Sequence, residues 1–321
     1  MKEIILAAID IGTNTFRLLI AAVSPGQGKD TISFREIQSE RIITRLGEGL
    51  SEYGLLRKEA MERGIDALRQ FSGVIAEHKV EKVLAIATSA LRNAGNSAEF
   101  IRNIKDSTGI RIEIITGEKE AELTAAGMLI DLETPASSLM LDIGGGSTEL
   151  IFTSADGPLN VQSLDLGVVY LAEKHMKSDP PSPADLKHLE KEISDKLENV
   201  RDLFTNLITR ETILIGTAGT ITALAAALQR LEKYEHDRVH NFRMSITDIK
   251  KIYLEMINMT TADRSQFLPF EPSRLDIIVP GTLILLRLMS IFGFNEILVS
   301  NYGLREGILV KLYEHKKSNS H

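Results

Sequence analysis

Two acids frame a run of three glycines and a hydroxyl in LMLDIGGGSTELIF, residues 139–152. Asp142 ends an apolar run, the glycines occupy 144–146 ahead of Ser147, and Glu149 follows. Consecutive glycines let backbone N–H groups converge on an anion, as they do at many phosphate sites. Acids beside an anion need a cation between them, and Mg²⁺ binds through one or two carboxylates, waters and phosphate oxygens. The stretch predicts a magnesium-phosphate turn, or alternatively a plain β-hairpin turn with two surface acids.

A similar arrangement opens the chain. IDIGTNTFRLLIAAV, residues 9–23, repeats the layout of LDIGGGSTELIFTSA, residues 141–155. Each has an apolar strand, Asp-Ile-Gly, a polar turn and a second apolar strand. An internal repeat of this kind predicts two domains of similar topology. We expect the two turns to face each other across a cleft.

Length and composition limit the class of protein. A chain of 321 residues is long enough for two domains, each with its own core. The absence of cysteine excludes disulfides, thiolate metal sites and cysteine nucleophiles, and it suits a reducing cytoplasm. Asp10 breaks the first apolar run, and Pro280, Gly281 and Arg287 interrupt the longest later one, 277–294. We therefore expect a cytoplasmic protein without a signal peptide or a membrane span.

The net charge of −7 comes from 44 acids against 37 bases. This balance argues against broad nonspecific binding of nucleic acid, and a polyanionic ligand must find a local basic groove. The sequence leaves the oligomeric state open, with a homodimer as one option.

Strands alternate with helices through the first half of the chain, which predicts an α/β domain. The segment 56–79 carries Met61, Ile65, Leu68, Phe71 and Ile75 at helical spacing. The second half begins in the same way and continues with a polar helical stretch and an Ala-rich helix. The predicted strands are 4–9, 16–23, 31–38, 82–88, 111–116 and 212–216, and the other predicted helices include 96–109, 117–129 and 183–207.

Several common motifs are absent from the sequence, including GxxxxGK[ST], HExxH, GxSxG and a GxGxxG that opens a helix after the first strand. Two DxGxx turns with a later GTAGT resemble the actin, Hsp70 and sugar-kinase superfamily. Within it, the chain resembles the exopolyphosphatase/guanosine pentaphosphate phosphatase family, Ppx/GppA, of the short two-domain type. The matching segments are DIGTNTFRLLI at 10–20, RLGEGL at 45–50, ATSALRNAGN at 87–96, ITGEKEAEL at 115–123, DIGGGSTEL at 142–150, GTAGT at 216–220, YEHDRVHNF at 234–242, RLDIIVPG at 274–281 and VSNYGLREGIL at 299–309.

This resemblance implies an α/β fold of two RNase H-like, actin-like domains. The first covers residues 1–125, with a C-terminal helix at 304–316 packed back on it, and the second covers 126–303. The apolar stripe near the end of the second domain belongs to its core. Its members are Ile277, Leu283, Leu286 and Met289.

The resemblance places Glu120 as the base that orients and deprotonates the attacking water, with Arg92 meeting a phosphate bidentately. Glu120 follows Gly117 by three residues at a helix start, so a plain N3 capping role is the alternative. For Arg92 the alternative is a solvated charge at a helix start. The family usually has two acids here, and Lys119 replaces the first of them.

Similarity to the family also makes Asp142 and Glu149 metal ligands for Mg²⁺. Asp10 belongs to the opposing turn, although it could equally be a hairpin-turn acid. His236 and His240 lie four residues apart, but we reject a metal site there because the family uses oxygen ligands. The predicted phosphate-binding residues are Asp10, Thr13, Asn14, Arg45, Gly144, Gly145, Gly146, Ser147, Gly216, Thr217, Gly219 and Thr220, of which the last four are expected to open a helix.

The resemblance implies a Mg²⁺-dependent phosphohydrolase. Its expected substrate is inorganic polyphosphate, from which it releases terminal orthophosphate, and guanosine pentaphosphate is a second candidate. The alternatives are an ATP-dependent kinase for a small acceptor, or a catalytically silent actin-like scaffold that binds nucleotide. The retained Glu120 argues against the scaffold, and the ATSALR block argues against the kinase.

Overall fold

The computed structural model describes four stretches of the chain, which are residues 3–26, 32–130, 137–154 and 157–318. The chain divides into two compact units. Unit 1 consists of residues 1–132 and 302–321, and unit 2 of residues 133–301. Each unit has its own β-sheet, so the predicted α/β class is confirmed. Among the residues that the structure describes, no helix is both long and apolar enough to cross a membrane.

Unit 1 begins with three antiparallel strands and then alternates helices with parallel strands. Its elements are β1 (Ile4–Ile11), β2 (Thr15–Pro25), β3 (Ile32–Ile43), α1 (Leu50–Tyr53), α2 (Lys58–Glu77), β4 (Lys82–Ala87), α3 (Ser89–Asn93), α4 (Ser97–Thr108), β5 (Ile112–Ile114), α5 (Gly117–Met128) and the last helix of the chain, Leu304–Ser318.

The sheet of unit 1 has the strand order β3-β2-β1-β4-β5, and its strands β1 and β2 are buried on both faces. Alternate residues of a strand point to opposite faces. Ile9 and Ile11 pack with Leu68 of α2 and Phe100 of α4, whereas Leu6 and its neighbours on the other face pack with the last helix. The stripe predicted along 56–79 therefore faces the sheet.

The last helix of the chain lies against α5 with the two backbones in close contact. A Cβ atom built on Gly307 would lie 1.8 Å from the carbonyl oxygen of Leu123, and one on Gly127 would lie 1.9 Å from that of Gly303. Only glycine permits this approach. The C-terminal helix therefore fixes the position of α5, which carries Glu120.

Unit 2 repeats the opening of three antiparallel strands and adds more helices. Its elements are β6 (Ser137–Ile143), β7 (Thr148–Ser154), β8 (Gly157–Leu164), α6 (Val168–His175), α7 (Pro183–Thr205), β9 (Ile213–Thr217), α8 (Ala218–Leu228), α9 (His236–Val239), β10 (Arg243–Ser245), α10 (Ile246–Met256), the 3-10 turns Asp263–Gln266 and Pro272–Arg274, α11 (Ile278–Phe292) and β11 (Glu296–Val299), after which the last helix is α12.

The sheet order of unit 2 is β10-β11-β9-β6-β7-β8. Read from the other end, β8-β7-β6-β9-β11 matches β3-β2-β1-β4-β5 strand for strand, which confirms the repeat inferred from the two DIG segments. The third strand of this repeat, β8, was not predicted from the sequence. The apolar stripe at 277, 283, 286 and 289 is buried in the core of this unit, as predicted.

Candidate functional site

The triple-glycine turn connects β6 to β7. The N–H of Gly144 donates to the carbonyl of Ser147 at 2.9 Å and closes the turn. The first two N–H groups of α6 donate to the carbonyls of Gly144 and Gly145, at 3.2 and 3.0 Å. Within the described part of the chain, the N–H groups of Gly145, Gly146 and Ser147 have no acceptor. A turn with engaged carbonyls and three available N–H groups is a nest for an anion.

Gly167, the N-cap of α6, packs directly against the backbone of this turn. A Cβ atom on Gly167 would lie 2.3 Å from the Cα of Gly146 and 2.4 Å from the carbonyl oxygen of Gly145. These are backbone atoms that cannot move aside without moving the turn. The absence of a side chain at Gly167 therefore lets α6 and the turn support each other.

Asp142 and Glu149 are opposite residues of the antiparallel pair β6–β7. Thr217 of β9 is the partner of Asp142 on its other side, and Ser163 of β8 is the partner of Glu149. Residues in register share a face of the sheet, so these four form a polar row beside the glycine turn. Glu149 is only 1% exposed, and its Oε1 accepts a hydrogen bond from the Ser163 hydroxyl at 2.7 Å.

Two neighbouring carboxylates repel each other unless a cation or a proton lies between them. Among the described residues there is no group of three or more His, Asp and Glu that could hold a metal. Mg²⁺ does not need one, because it binds through one or two carboxylates and completes its shell with waters and phosphate oxygens. The pair Asp142 and Glu149, next to an anion nest, fits that ion.

The first turn, between β1 and β2, has the same backbone pattern. The N–H of Gly12 donates to the carbonyl of Thr15 at 3.2 Å. The carbonyls of Thr13 and Asn14 accept hydrogen bonds from Gly47 and Arg45, both at 2.9 Å. The N–H groups of residues 13 and 14 have no acceptor in the part of the chain described.

The side chain of Asn14 adds one more donor to this turn. Its Nδ2 is buried and has no hydrogen-bond partner among the described residues. A buried donor without a partner is costly, so a ligand or water is expected to satisfy it. Arg45 lies beside the turn with its backbone at φ 46° and its side chain exposed.

Asp10 differs from its counterpart Asp142 in its neighbour. Its partner in register on β2 is Arg17, whose Nη1 lies 3.2 Å from the Asp10 Oδ2. Burial raises the pKa of Asp10, while the charge of Arg17 and its hydrogen bond lower it. The Asp10 carboxylate is therefore engaged within the hairpin, and its predicted role in phosphate binding stays a prediction.

Glu120 lies in the first turns of α5, 8% exposed, and pairs with Arg92 of α3. The Arg92 Nη1 donates to the Glu120 Oε2 at 3.1 Å and to the carbonyl of Ile115 at 3.0 Å. The alternative capping role is wrong, because the N-cap is Thr116, which accepts from the N–H of Lys119. The helix has its cap one residue earlier than the sequence suggested, so Lys119 occupies N3 and Glu120 follows it.

The GTAGT segment is partly corrected by the structure. Gly216 does not open a helix, because it lies within strand β9; Thr217 ends that strand and is the N-cap of α8, which begins at Ala218. Gly216 is a packing glycine, since a Cβ atom there would lie 2.5 Å from Ile297 Cδ1. Gly219 and Thr220 do lie in the first turn of the helix, where N–H groups favour anions.

Arg274 packs against this helix start, and the sequence alone indicated no role for it. A Cβ atom on Gly219 would be 1.9 Å from the Arg274 Nη2, so the guanidinium packs where that side chain would be. Arg274 is 7% exposed, and its Nε lies 3.7 Å from the Oε1 of Glu271. The buried Arg264 supports the segment by donating to the carbonyl of the adjacent Leu275 at 3.0 Å. The RLDIIVPG match contained Arg274, but only the tertiary structure reveals its neighbour.

His236 and His240 both contact Asn301, which follows β11. The rings are 5.9 Å apart, and the Nδ1 of His240 accepts from the N–H of Asn301 at 3.2 Å. The side chain of Asn301 accepts a hydrogen bond from the Tyr234 hydroxyl at its Oδ1 and donates one from its Nδ2 to the carbonyl of His236. These hydrogen bonds connect the segment 234–240 to the residues that follow β11.

The sequence model of the Ppx/GppA phosphatase family matches residues 20–316 of the chain. The chain belongs to this family. A crystal structure of the Aquifex aeolicus Ppx/GppA member has a TM-score of 0.81 and 31% identity, over 98% of this chain and 99% of that one. The predicted actin-like architecture of Ppx/GppA proteins is thereby confirmed.

Two curated relatives of this Ppx/GppA chain differ in name and length. Exopolyphosphatase 2 of Mycobacterium tuberculosis is 31% identical over 317 residues, which cover 96% of this chain and 98% of that protein. The guanosine-5'-triphosphate,3'-diphosphate pyrophosphatase of Aeromonas hydrophila is 28% identical over 306 residues, or 95% of this chain but 59% of that protein. The chain thus aligns along nearly its whole length with both kinds of family member.

Proposed function

We propose that this protein is an exopolyphosphatase that releases terminal orthophosphate from inorganic polyphosphate, and that it also hydrolyses the 5′ terminal phosphate of guanosine pentaphosphate. The observation that carries the proposal is the glycine turn, which offers three backbone N–H groups beside the paired acids Asp142 and Glu149. The names of the two relatives support a phosphoanhydride as substrate. They do not favour the kinase or the silent scaffold.

Each group has a chemical task in this proposal. The N–H groups of the turn and the α8 start, with Arg274, bind phosphate oxygens. Glu120 accepts a proton from water as the water oxygen attacks the terminal phosphorus, and the bridging P–O bond breaks to leave a chain shorter by one phosphate. Asp142 and Glu149 would hold Mg²⁺, which when bound offsets the negative charge on the phosphate oxygens.

Arg92 supports this role of Glu120 by its position. Its hydrogen bond to the Glu120 Oε2, at 3.1 Å, orients the carboxylate, as a general base requires. Arg92 is also suited to contact phosphate itself, because a guanidinium has donors for both a carboxylate and a phosphate. The assignments of Glu120 and Arg92 as catalytic groups, the cytoplasmic location and a homodimer stay predictions.

The direct test is release of orthophosphate by the purified protein. Wild-type protein is incubated with polyphosphate or guanosine pentaphosphate at varied Mg²⁺, without ATP or ADP. We expect release that depends on Mg²⁺. In parallel reactions with ATP, transfer of its terminal phosphate to a small acceptor without release of orthophosphate would favour the kinase, and nucleotide binding without turnover would favour the scaffold.

The base is tested by Glu120→Gln, which keeps the size of the side chain and removes its charge. We expect turnover to fall by roughly 10²- to 10⁴-fold, the range of general-base catalysis, while polyphosphate still binds. Glu122→Gln is the matched control, because Glu122 is an exposed acid of the same helix that pairs with Lys119 at 2.7 Å. Near-normal turnover in Glu120→Gln would remove Glu120 as the base.

A further inference from the structure

Glu149 is an acid that the sheet encloses almost completely. It is 1% exposed and lies near the start of β7, between Asp142 of β6 and Ser163 of β8. Its Oε1 accepts the Ser163 hydroxyl at 2.7 Å, across the strand pair on the edge of the sheet. This hydrogen bond to a charged acceptor is of the stronger kind.

A carboxylate that binds a cation must present its oxygens in one direction. The Glu149 side chain has three rotatable bonds, and the hydroxyl of Ser163 binds its Oε1 from β8, the strand on the other side of β7 from Asp142. Residues that orient a metal ligand in this way usually affect metal affinity strongly although they never touch the metal.

A pair of hydroxyls on strands β6 and β7 of the same sheet provides the comparison. Ser138 of β6 and Thr153 of β7 are opposite residues, both buried, with their hydroxyls 2.7 Å apart. They lie on the same face as Asp142 and Glu149, because they are an even number of residues away along each strand. That pair joins two neutral hydroxyls and includes no carboxylate.

We propose that Ser163 is a positioning residue of the metal site: its hydroxyl holds the Glu149 carboxylate in the orientation that binds a divalent cation beside Asp142. The inference rests on the proposed function, because it assigns the cation site to these acids. It adds a residue of β8 that the sequence did not indicate as functional.

The experiment measures binding of Mn²⁺, used as a paramagnetic substitute for Mg²⁺, to the metal-free protein by electron paramagnetic resonance. We expect Ser163→Ala to weaken Mn²⁺ binding by roughly 10- to 100-fold, the range seen when a ligand loses its hydrogen-bond partner. Ser163→Thr keeps a hydroxyl and should restore most of the affinity. Ser138→Ala removes a buried hydroxyl from the same sheet and should leave Mn²⁺ affinity at the wild-type value.

Urea unfolding in EDTA, run on all three variants, separates metal binding from folding. Wild-type Mn²⁺ affinity in a folded Ser163→Ala protein would overturn the inference, and so would an equal loss of affinity in Ser138→Ala. If the wild type releases no phosphate from either substrate while Ser163→Ala still weakens Mn²⁺ binding, the proposed function fails and the inference stands. If the wild type hydrolyses polyphosphate and Ser163→Ala binds Mn²⁺ normally, the proposed function stands and the inference about Ser163 fails.

Discussion

The two glycine turns have the same backbone and different chemistry. In each, the glycine after Asp-Ile donates to the carbonyl three residues later, in Gly12 to Thr15 and in Gly144 to Ser147. In each, a segment that follows the third strand donates N–H groups to the turn carbonyls. That segment contains a buried leucine and a glycine, 46–47 in unit 1 and 166–167 in unit 2. The repeat is therefore longer than the two DIG motifs that first indicated it.

The difference lies opposite the aspartate. Asp10 has Arg17 as its partner in register, whereas Asp142 has Glu149. On the third strand the row continues with Arg41 in unit 1 and with Ser163 in unit 2. An acid beside an arginine is paired with a charge of the protein, whereas two adjacent acids form a pair that suits a cation. The same hairpin thus carries an ion pair in one unit and, in the other, the acid pair for which we propose metal binding.

The largest expected effect is on the Mg²⁺ requirement of variants that replace an acid in one of the two turns. Asp142→Asn and Glu149→Gln should each raise the Mg²⁺ concentration for half-maximal phosphate release by more than roughly 10- to 100-fold, since losing a ligand should cost more than losing its hydrogen-bond partner. Asp10→Asn should leave that concentration unchanged, even if it slows turnover. The measurement is phosphate release against Mg²⁺ concentration for the three variants.

Two results would break the contrast. An equal shift in Asp10→Asn would mean that the first turn also holds the metal. Full activity of the wild type in EDTA would mean that neither turn needs one.

A smaller effect is expected at the glycines that support the turns. A Cβ atom on Gly47 would lie 2.3 Å from the Thr13 Cγ2, a methyl group, whereas one on Gly167 would meet backbone atoms of Gly145 and Gly146. Gly167→Ala should therefore destabilise the protein by about 1–3 kcal/mol, as overpacking does, and Gly47→Ala by less. Urea unfolding gives both values.

A double variant makes this comparison sharper. Thr13→Ser removes the methyl group that a new Cβ atom at position 47 would meet, so Gly47→Ala combined with Thr13→Ser should regain most of the lost stability. Unit 2 offers no such remedy, because the obstacle to a side chain at Gly167 is the backbone itself. Equal and unrecoverable losses in both units would show that the first turn is as tightly enclosed as the second.

The parts of the fold that the sequence predicted are those with strong local patterns. The apolar stripe of α2 and the paired DIG hairpins depend on spacing within a segment, and both are present in the structure. Strand β8, with the sequence GPLNVQSL, was not predicted because it has few apolar residues: Pro158, Asn160 and Gln162 separate them, and proline and asparagine are uncommon in strands. A local pattern of this kind becomes a strand only by pairing with β7.

The residues of the candidate site likewise differ in whether they could be predicted from the sequence. The glycine turn and its acids could be identified because they lie within eight residues of one another, from Asp142 to Glu149. Arg274 and Ser163 could not, because each acts on a residue far from it in the chain. The cap of α5 was placed one residue late, which is the usual uncertainty of a helix end, and that shift alone made Glu120 look like a capping acid.

The smallest expected effect concerns the pH dependence of the first hairpin. Burial is the largest influence on Asp10 and raises its pKa above the ordinary 3.8, with Glu306 adding to the rise and with Arg17 and Arg305 opposing it. The folded protein therefore holds this proton more tightly than the unfolded chain. Its contribution to stability is fully present below 3.8 and is lost as the pH rises through the folded pKa.

Asp10→Asn removes this titration, so the free energy of unfolding of the wild type minus that of Asp10→Asn should fall as the pH rises through that window. Arg17→Gln removes the main opposing charge, so the pKa of Asp10 should rise further and the fall should move to higher pH. Urea unfolding of the three proteins over a pH series measures both shifts. A difference that grows with pH would mean that the charge of Arg17 outweighs burial and that the pKa of Asp10 is lowered. The first hairpin would then be a stabilising ion pair, and its contrast with the paired acids of the second would be larger than burial alone indicates.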